Sequence, residues 1–350
     1  MTHQVFVGSV PIGGGAPVSI QSMTNTDTRD AGATIDQIHA LENAGCEIVR
    51  SSVYDEKCVE AIKRIIPNIH IPLVADIHFD HRLAIASIEA GIAKVRINPG
   101  NIGSAAKVRE LVACAKANHV PIRIGVNGGS LSRDILEKYG VCAEGLVESA
   151  LEHVRILEKE GFQDIIISLK SSNVSMMVKA YRLAAKKVAY PLHLGVTEAG
   201  IGEAAMLKSA VGIGSLLLDG IGDTIRVSMT GDVIQEVAAA KKILSAVGIR
   251  SFGAEIISCP TCGRTRVSLP DIVNRISAAL PENSKAIRIA VMGCAVNGPG
   301  EAREADIGIA FGSKNAVIFK HGEIVCSGML PGIIDRFIGD AVELAKAEKL

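Results

Sequence analysis

The sequence predicts an α/β protein, a (β/α)8 TIM barrel followed by a smaller α+β domain. Three observations carry this. Eight short β-branched runs alternate with helix-like segments over about 230 residues. The runs are interrupted by cations near the ends where barrel strands converge on one rim. The alternation then stops near residue 250, and the remaining hundred or so residues follow another pattern.

The chain opens with QVFVGSVPI, read as a small hairpin covering the barrel floor. GGGAP at Gly13–Pro17 precedes a strand instead of following one, and is read as a hairpin turn, not a dinucleotide fingerprint. The eight runs are VSIQSM (18–23), CEIVRSSV (46–53), PLVADIHF (72–79), AKVRINPG (93–100), PIRIGVN (121–127), DIIISLK (164–170), PLHLGVTEAG (191–200) and DTIRVSM (223–229). After the first, Thr34 and Gln37 form a capping box, Ile35, Ile38 and Leu41 make an apolar stripe, and Gly45 is a stop. After the last, Val233, Val237, Ala240, Leu244 and Val247 keep helical spacing up to Gly248. A doubly wound open sheet is the competing architecture, but it usually has fewer strands and a glycine fingerprint after its first strand.

Domain boundaries are expected at 1–250 and 251–350. In the second domain GAEIISC reads as a strand, LPDIVNRISAAL as a helix started by Pro270, and KAIRIAVMG and ADIGIAF as strands. NAVIFKHGEIVCSG reads as a hairpin turning at His321–Gly322, and GIIDRFIGDAVELAKAEKL as a terminal helix.

Hydrophobic residues make up 48% of the chain and charged ones 21%, which allows a sizeable core and excludes disorder. Thirty-seven basic residues balance thirty-seven acidic ones. With 3% aromatics and no tryptophan, this argues against a nucleic-acid binder. No basic n-region followed by an apolar stretch stands at the start, and no run approaches the ~20 residues needed to span a bilayer. The expectation is a cytoplasmic protein with no membrane partner. In that reducing compartment, closely spaced cysteines read as metal ligands or redox groups. The isolated Cys46, Cys58, Cys114, Cys142 and Cys326 read as small buried hydrophobes.

Arg50, Arg96, Arg123, Lys170 and Arg226 each lie at or toward the C-terminal end of a different strand, and His193 lies in another. Packed together without partners, five cations would repel and lose hydration. Asp76 and Glu198 on the same rim do not balance them. A ligand with more than one anionic group does, and the planar fork of arginine suits phosphate oxygens. The inferred substrate therefore carries two phosphate groups. Asn98 and Asn127 follow their arginines and could orient polar ligand atoms, or serve only as turn residues. Glu198 faces the same pocket, either as an ion-pair partner or as an acid or base.

The cysteines follow the spacing C-x2-C-x31-C-x6-E: Cys259, Cys262, Cys294 and Glu301. A thioredoxin-like context, a second CxxC and the tight ferredoxin run are all missing. Three thiolates and a distinct fourth position suit an iron–sulfur cluster with one special iron, and also zinc with an open position. Gly293, Gly298 and Gly300 let backbone approach a bulky inorganic core, which favours the cluster.

These residues together resemble the 4-hydroxy-3-methylbut-2-enyl diphosphate synthase family of the non-mevalonate isoprenoid pathway, in its two-domain bacterial form. VPIGGGAP, QSMTNTDT, ADIHFD, RINPGNIG, YPLHLGVTEAG, GDTIRVS, CPTCGR and GCAVNGPGEA carry the resemblance, which spans essentially the whole chain. It implies that the smaller domain is an iron–sulfur domain. Cys259, Cys262, Cys294 and Glu301 would hold one 4Fe-4S cluster per chain. Arg50, Arg96, Arg123, Lys170, His193 and Arg226 would bind 2-C-methyl-D-erythritol 2,4-cyclodiphosphate, and Glu198 would be the catalytic carboxylate. It further implies two-electron reduction with loss of water to a linear allylic diphosphate. Electrons would come from flavodoxin or ferredoxin. The family forms a homodimer in which one subunit's cluster domain caps the other's barrel, with residues 248–252 as hinge. Asn173 stands where aspartate is expected and Phe311 where glycine is expected, and the segment after Arg50 also varies. The rival is a non-redox phosphosugar lyase or transferase barrel with a structural zinc domain.

Overall fold

The N-terminal hairpin forms from β1 (Val5–Val7) and β2 (Val10–Ile12), antiparallel, with Val5 opposite Ile12. It turns at Gly8–Ser9, and Gly8 takes φ 57°, a conformation glycine adopts without a Cβ penalty. The glycine-rich stretch therefore does not make the hairpin turn. Gly13–Gly15, all at positive φ, bend the chain from β2 toward the next strand. Val5, Val7 and Ile12 pack against Ile48, Val74 and Ile166, close to the starts of three barrel strands, so the hairpin does cover the floor.

The computed structural model describes residues 1–98, 102, 104–281, 284–294 and 303–346. One compact unit spans Met1–Arg250 and a second Ser251–Leu350. In the first unit all eight expected strands form: β3 (Ser19–Met23), β4 (Ile48–Ser52), β5 (Leu73–Asp76), β6 (Lys94–Ile97), β7 (Ile122–Asn127), β8 (Ile165–Lys170), β9 (His193–Leu194) and β10 (Thr224–Ile225). They pair parallel in the order β8-β7-β6-β5-β4-β3-β10-β9, and an Ile167–Leu192 bridge joins the two ends into a barrel. Helices between the strands wrap the outside, as parallel crossovers require.

Local chemistry sets the helix ends. The helix Ala31–Asn43 begins three residues before the expected capping box, because Asp30 accepts from the Ala33 amide. Thr34 is instead buried against Thr26, and Gln37 pairs with Asn25. Gly45, at φ 90°, ends that helix, and Gly248, at φ 71°, follows the helix Val233–Ala246. Asn173 caps the helix Val174–Lys187 by accepting from the Met176 amide, a task asparagine and aspartate perform about equally. Cys46 and Cys58 are buried as expected. Cys142 is only half-buried, and its sulfur caps the helix Ala143–Lys159 by accepting from the Gly145 amide.

The second unit is a five-stranded mixed sheet in sequence order: β11 (Glu255–Ser258), β12 (Arg288–Met292), β13 (Ile307–Phe311), β14 (Asn315–Lys320) and β15 (Glu323–Met329). The first three are parallel and the last two antiparallel. β14 and β15 turn at His321 and Gly322, both at positive φ. Helices Leu269–Ala279 and Gly332–Ala345 cover one face, placing Ile272, Ile276, Ile333 and Phe337 against Ile289, Val291, Ile307 and Ile309. Phe311 belongs to this core and is fully buried, so the departure at that position is a packing residue.

Candidate active site

Parallel register brings the strand cations together within the barrel. Arg96 lies beside Arg123 across β6–β7, Asp76 beside Arg96 across β5–β6, and Lys170 beside Asn127 across β7–β8. The side chains of Arg50, Arg96, Arg123, Lys170 and Arg226 line a cavity of about 140 Å³, together with Asp76, His78, Asn127, Ser168, Thr197 and Ser228. A larger groove of about 810 Å³ runs outside the barrel between helices Glu56–Ile65 and His81–Glu89, and its charges are of mixed sign. Only the smaller cavity concentrates one sign of charge.

The cavity's internal pairing is partial. Arg96 Nη1 donates to Asp76 Oδ1 at 3.0 Å and sits 3.2 Å from His78 Nε2. Arg50 Nε lies 3.7 Å from the other Asp76 oxygen. Its guanidinium otherwise meets the Met23 thioether, with Nη2 at 2.8 Å, a weak acceptor for a full charge. Arg226 pairs at 3.2 Å with Glu236, which is buried on the helix Val233–Ala246 and also accepts from Ser22 and the Met229 amide. Five cations thus face two carboxylates, Asp76 and Glu236. Among the described residues, Arg96 Nε, Arg123 Nε and Nη1 and Arg226 Nε are buried without a hydrogen-bond partner. Such orphaned charged donors are costly until an anion meets them.

Electrostatics follow from this surplus. Burial, and after it the surrounding Arg226 and Arg50, hold Lys170 well below the usual lysine range. Burial, then Arg123, does the same to Lys94, which donates to Gln21 Oε1 at 3.2 Å. Asp76 pays a desolvation cost that raises it, but Arg50 and Arg96 outweigh this and keep it well below the carboxylate range.

Two glycines make room for the cations. A Cβ at Gly125 would stand 2.5 Å from Arg96 Nε, and one at Gly195 would stand 2.8 Å from Lys170 Nζ. Composition alone did not single these out. Glu236 was missed as well, although a glutamate three residues after Val233 and four before Ala240 sits on an otherwise apolar face, which was a readable signal.

Two expected placements need correction. Arg123 is the second residue of β7, near the strand's beginning, and is 1% exposed. His193 opens β9, is fully buried with neither ring nitrogen bonded, and is not among the cavity-lining residues. Both sit deeper than the rim. Asn98 is buried just past β6, and Asn127 ends β7. Glu198 follows the cavity residue Thr197 and is exposed, with φ 52°. A non-glycine residue held in that region stores strain, a feature that clusters at functional sites.

In the second unit β11 and β12 run parallel with Ser258 beside Val291, so Cys259 and Cys294 emerge at the same edge of the sheet. The Cys259 thiol accepts from the Gly293 amide at 3.2 Å. Cys262 is exposed, and the Arg264 backbone amide lowers its thiol below the ordinary value. Gly293 is packed against Leu269 and Thr265, where a Cβ would not fit. These are three soft donors at one end of the sheet, and they fit an iron–sulfur group. Glu301 lies outside the described residues.

Two family models match in chain order: the GcpE TIM-barrel domain over residues 2–241 and the GcpE protein C-terminal domain over residues 255–341. The chain belongs to the GcpE family. Among its GcpE relatives is the 4-hydroxy-3-methylbut-2-en-1-yl diphosphate synthase (flavodoxin) of Clostridium acetobutylicum, 55% identical over 96% of this chain and 97% of the relative. The enzyme of the same name from Geobacter sulfurreducens is 53% identical over 99% of both chains. Among solved structures, the dihydropteroate synthase of Yersinia pestis superposes with a TM-score of 0.52 at 11% identity, covering 70% of this chain and 99% of that one. At that identity the likeness concerns the barrel fold alone. No helix among the described residues is long and apolar enough to cross a membrane.

Proposed function

We propose that this GcpE chain is an oxidoreductase that carries out the reaction named for its relatives, the formation of 4-hydroxy-3-methylbut-2-enyl diphosphate. Its substrate is 2-C-methyl-D-erythritol 2,4-cyclodiphosphate. Two electrons enter, a ring C–O bond breaks, the diphosphate stays attached at its other end, and one oxygen leaves as water. Flavodoxin is the electron donor, as in the relatives' name.

The observation that carries this reading is the cavity whose five lining cations exceed its carboxylates, with buried guanidinium nitrogens of Arg96, Arg123 and Arg226 left without a hydrogen-bond partner among the described residues. A cyclic diphosphate fills it with the charge it lacks. Arg96, Arg123 and Arg226 would grip phosphate oxygens with their guanidinium groups at the cavity wall, and Arg50 and Lys170 would add charge. Asp76 and Glu236 fix the arginines' orientation before the ligand arrives, which limits the ordering cost on binding. Asn98 and Asn127 would orient the remaining polar atoms, with His193 supporting from below. Glu198 at the mouth would hold or deliver the proton that the departing hydroxyl needs as water.

Cys259, Cys262, Cys294 and Glu301 would hold one 4Fe-4S cluster, which when bound supplies electrons one at a time. Carboxylate is a weaker, more exchangeable ligand than thiolate, so Glu301 would be the ligand most readily given up to substrate. The enzyme would act in the cytoplasm as a homodimer, each cluster domain capping the partner's barrel. Anaerobic metal and sulfide analysis tests the assignment: about four irons with matching sulfide per chain are expected. A colourless chain holding one zinc would overturn it.

A further inference from the structure

The floor side of the barrel carries a second group of metal-binding side chains, far in sequence from the cysteines. His39 and Glu42 lie three residues apart near the end of the helix Ala31–Asn43, so they share one face. His70 lies just before β5, where the chain re-enters the barrel. Parallel topology places both segments at the strands' beginnings, since the helix end leads into β4 and His70 leads into β5. One ligand atom from each of His39, Glu42 and His70 lies within 4.8 Å of the other two. Among the described residues this is the one such trio.

The trio is also prepared for a cation. Glu42 Oε1 accepts from the backbone amides of His70, at 2.6 Å, and Ile71, at 3.1 Å. That fixes the carboxylate and leaves Oε2 facing the His70 ring, whose Nδ1 is 3.0 Å away. His39 Nε2 meets the Asn68 carbonyl at 2.7 Å, and the two imidazole centroids are 5.9 Å apart. The His70 side chain is 83% exposed, so its ring can turn without displacing core atoms. A carboxylate oriented by outer hydrogen bonds beside two imidazoles is the donor set of divalent transition ions, with water in the open position. Hard cations such as calcium or magnesium would find too few oxygens.

We propose that His39, Glu42 and His70 form a surface site for a divalent transition ion of the zinc or cobalt class. The ion displaces the proton between His70 and Glu42 and replaces the His39–Asn68 hydrogen bond. It clips the end of the first barrel helix to the segment entering β5.

Calorimetric titration of the full chain with Co²⁺, under reducing conditions, provides the test. Thiolates as a class also bind this ion, so the readout is the difference between the parent and His39→Gln and His70→Gln. The parent should bind one more Co²⁺ than either variant, or bind it at least about tenfold more tightly. Added Co²⁺ should raise the parent's melting temperature more than theirs, while the metal-free melting temperatures agree. Identical stoichiometry and affinity in parent and variants would overturn the site. Should a variant fail to fold, anomalous scattering from a Co²⁺-soaked parent crystal decides: a peak among the three side chains supports the proposal, and cobalt confined to the cysteines refutes it.

Discussion

Arg96 shows how much one residue can carry. It touches Asp76 and His78, occupies the space Gly125 leaves open, and still has one buried nitrogen unbonded. Arg96→Ala should weaken substrate binding by about 1.5–3 kcal/mol, the range of hydrogen bonds to charged groups. Arg96→Lys should recover only part, because a point charge cannot reproduce a planar fork. Steady-state kinetics will show it as a raised KM; parent-like KM and kcat in both variants would remove the clamp. Lys170 allows a pH test. Its folded pKa is held below the ordinary value by burial and by neighbouring arginines. Between that lowered value and about 10.4, the unfolded chain binds more protons than the folded one. Stability of the ligand-free protein should therefore rise with pH through that window. Pyrophosphate should draw a proton back onto Lys170, so calorimetry in buffers of different ionisation enthalpy should record proton uptake on binding. Lys170→Met should reduce both effects, and a variant that reproduced the parent's slope and uptake would assign them elsewhere.

At the scale of single elements, the two unusual residues of this chain have separate duties. Phe311 fills the core of the second unit between β13 and its covering helices. Phe311→Ala should lower stability by about 3–5 kcal/mol through the cavity it leaves. Asn173→Ala should lower it by about 1 kcal/mol by removing a helix cap, and Asn173→Asp should change it little. Chemical denaturation of the three variants gives the ranking, and an Asn173→Ala loss as large as that at Phe311 would contradict it. Elements of this kind were legible to different degrees. All eight barrel runs could be read because buried parallel strands are continuous apolar segments. The arginines stood out as charges inside those segments. The start of the first helix was misplaced because Asp30 and Thr34 both look like caps in sequence, and Asp30 is the one that accepts from a first-turn amide, that of Ala33. The depth of Arg123 and His193 could not be read, since strand register is fixed by pairing partners far along the chain. Glu236 reaches the cavity residue Arg226 from a helix, and a strand-by-strand reading passes over it.

For the whole molecule, the cysteines and the cation cavity belong to different compact units, and the homodimer proposed above has a testable consequence. Cys259→Ser and Glu198→Gln chains should each be inactive alone. Mixed after dissociation and reassociation, they should regain part of the parent's turnover, because each heterodimer then holds one intact pair. Heterodimers shown to form but without activity would place both contributions in the same chain.

The hairpin of β1 and β2 seals one end of the barrel with Val5, Val7 and Ile12. This makes the cavity a cul-de-sac. Arrival and departure must use one doorway, so a molecule that lingers there shuts out the next. Accumulated allylic diphosphate should accordingly behave as a competitive inhibitor, lifted by excess substrate, and its escape rate sets a ceiling on turnover that faster electron supply cannot raise. Initial-rate measurements with added product will show lines that intersect on the reciprocal-velocity axis; a purely non-competitive pattern would mean that product and substrate occupy separate places, against a shared cul-de-sac.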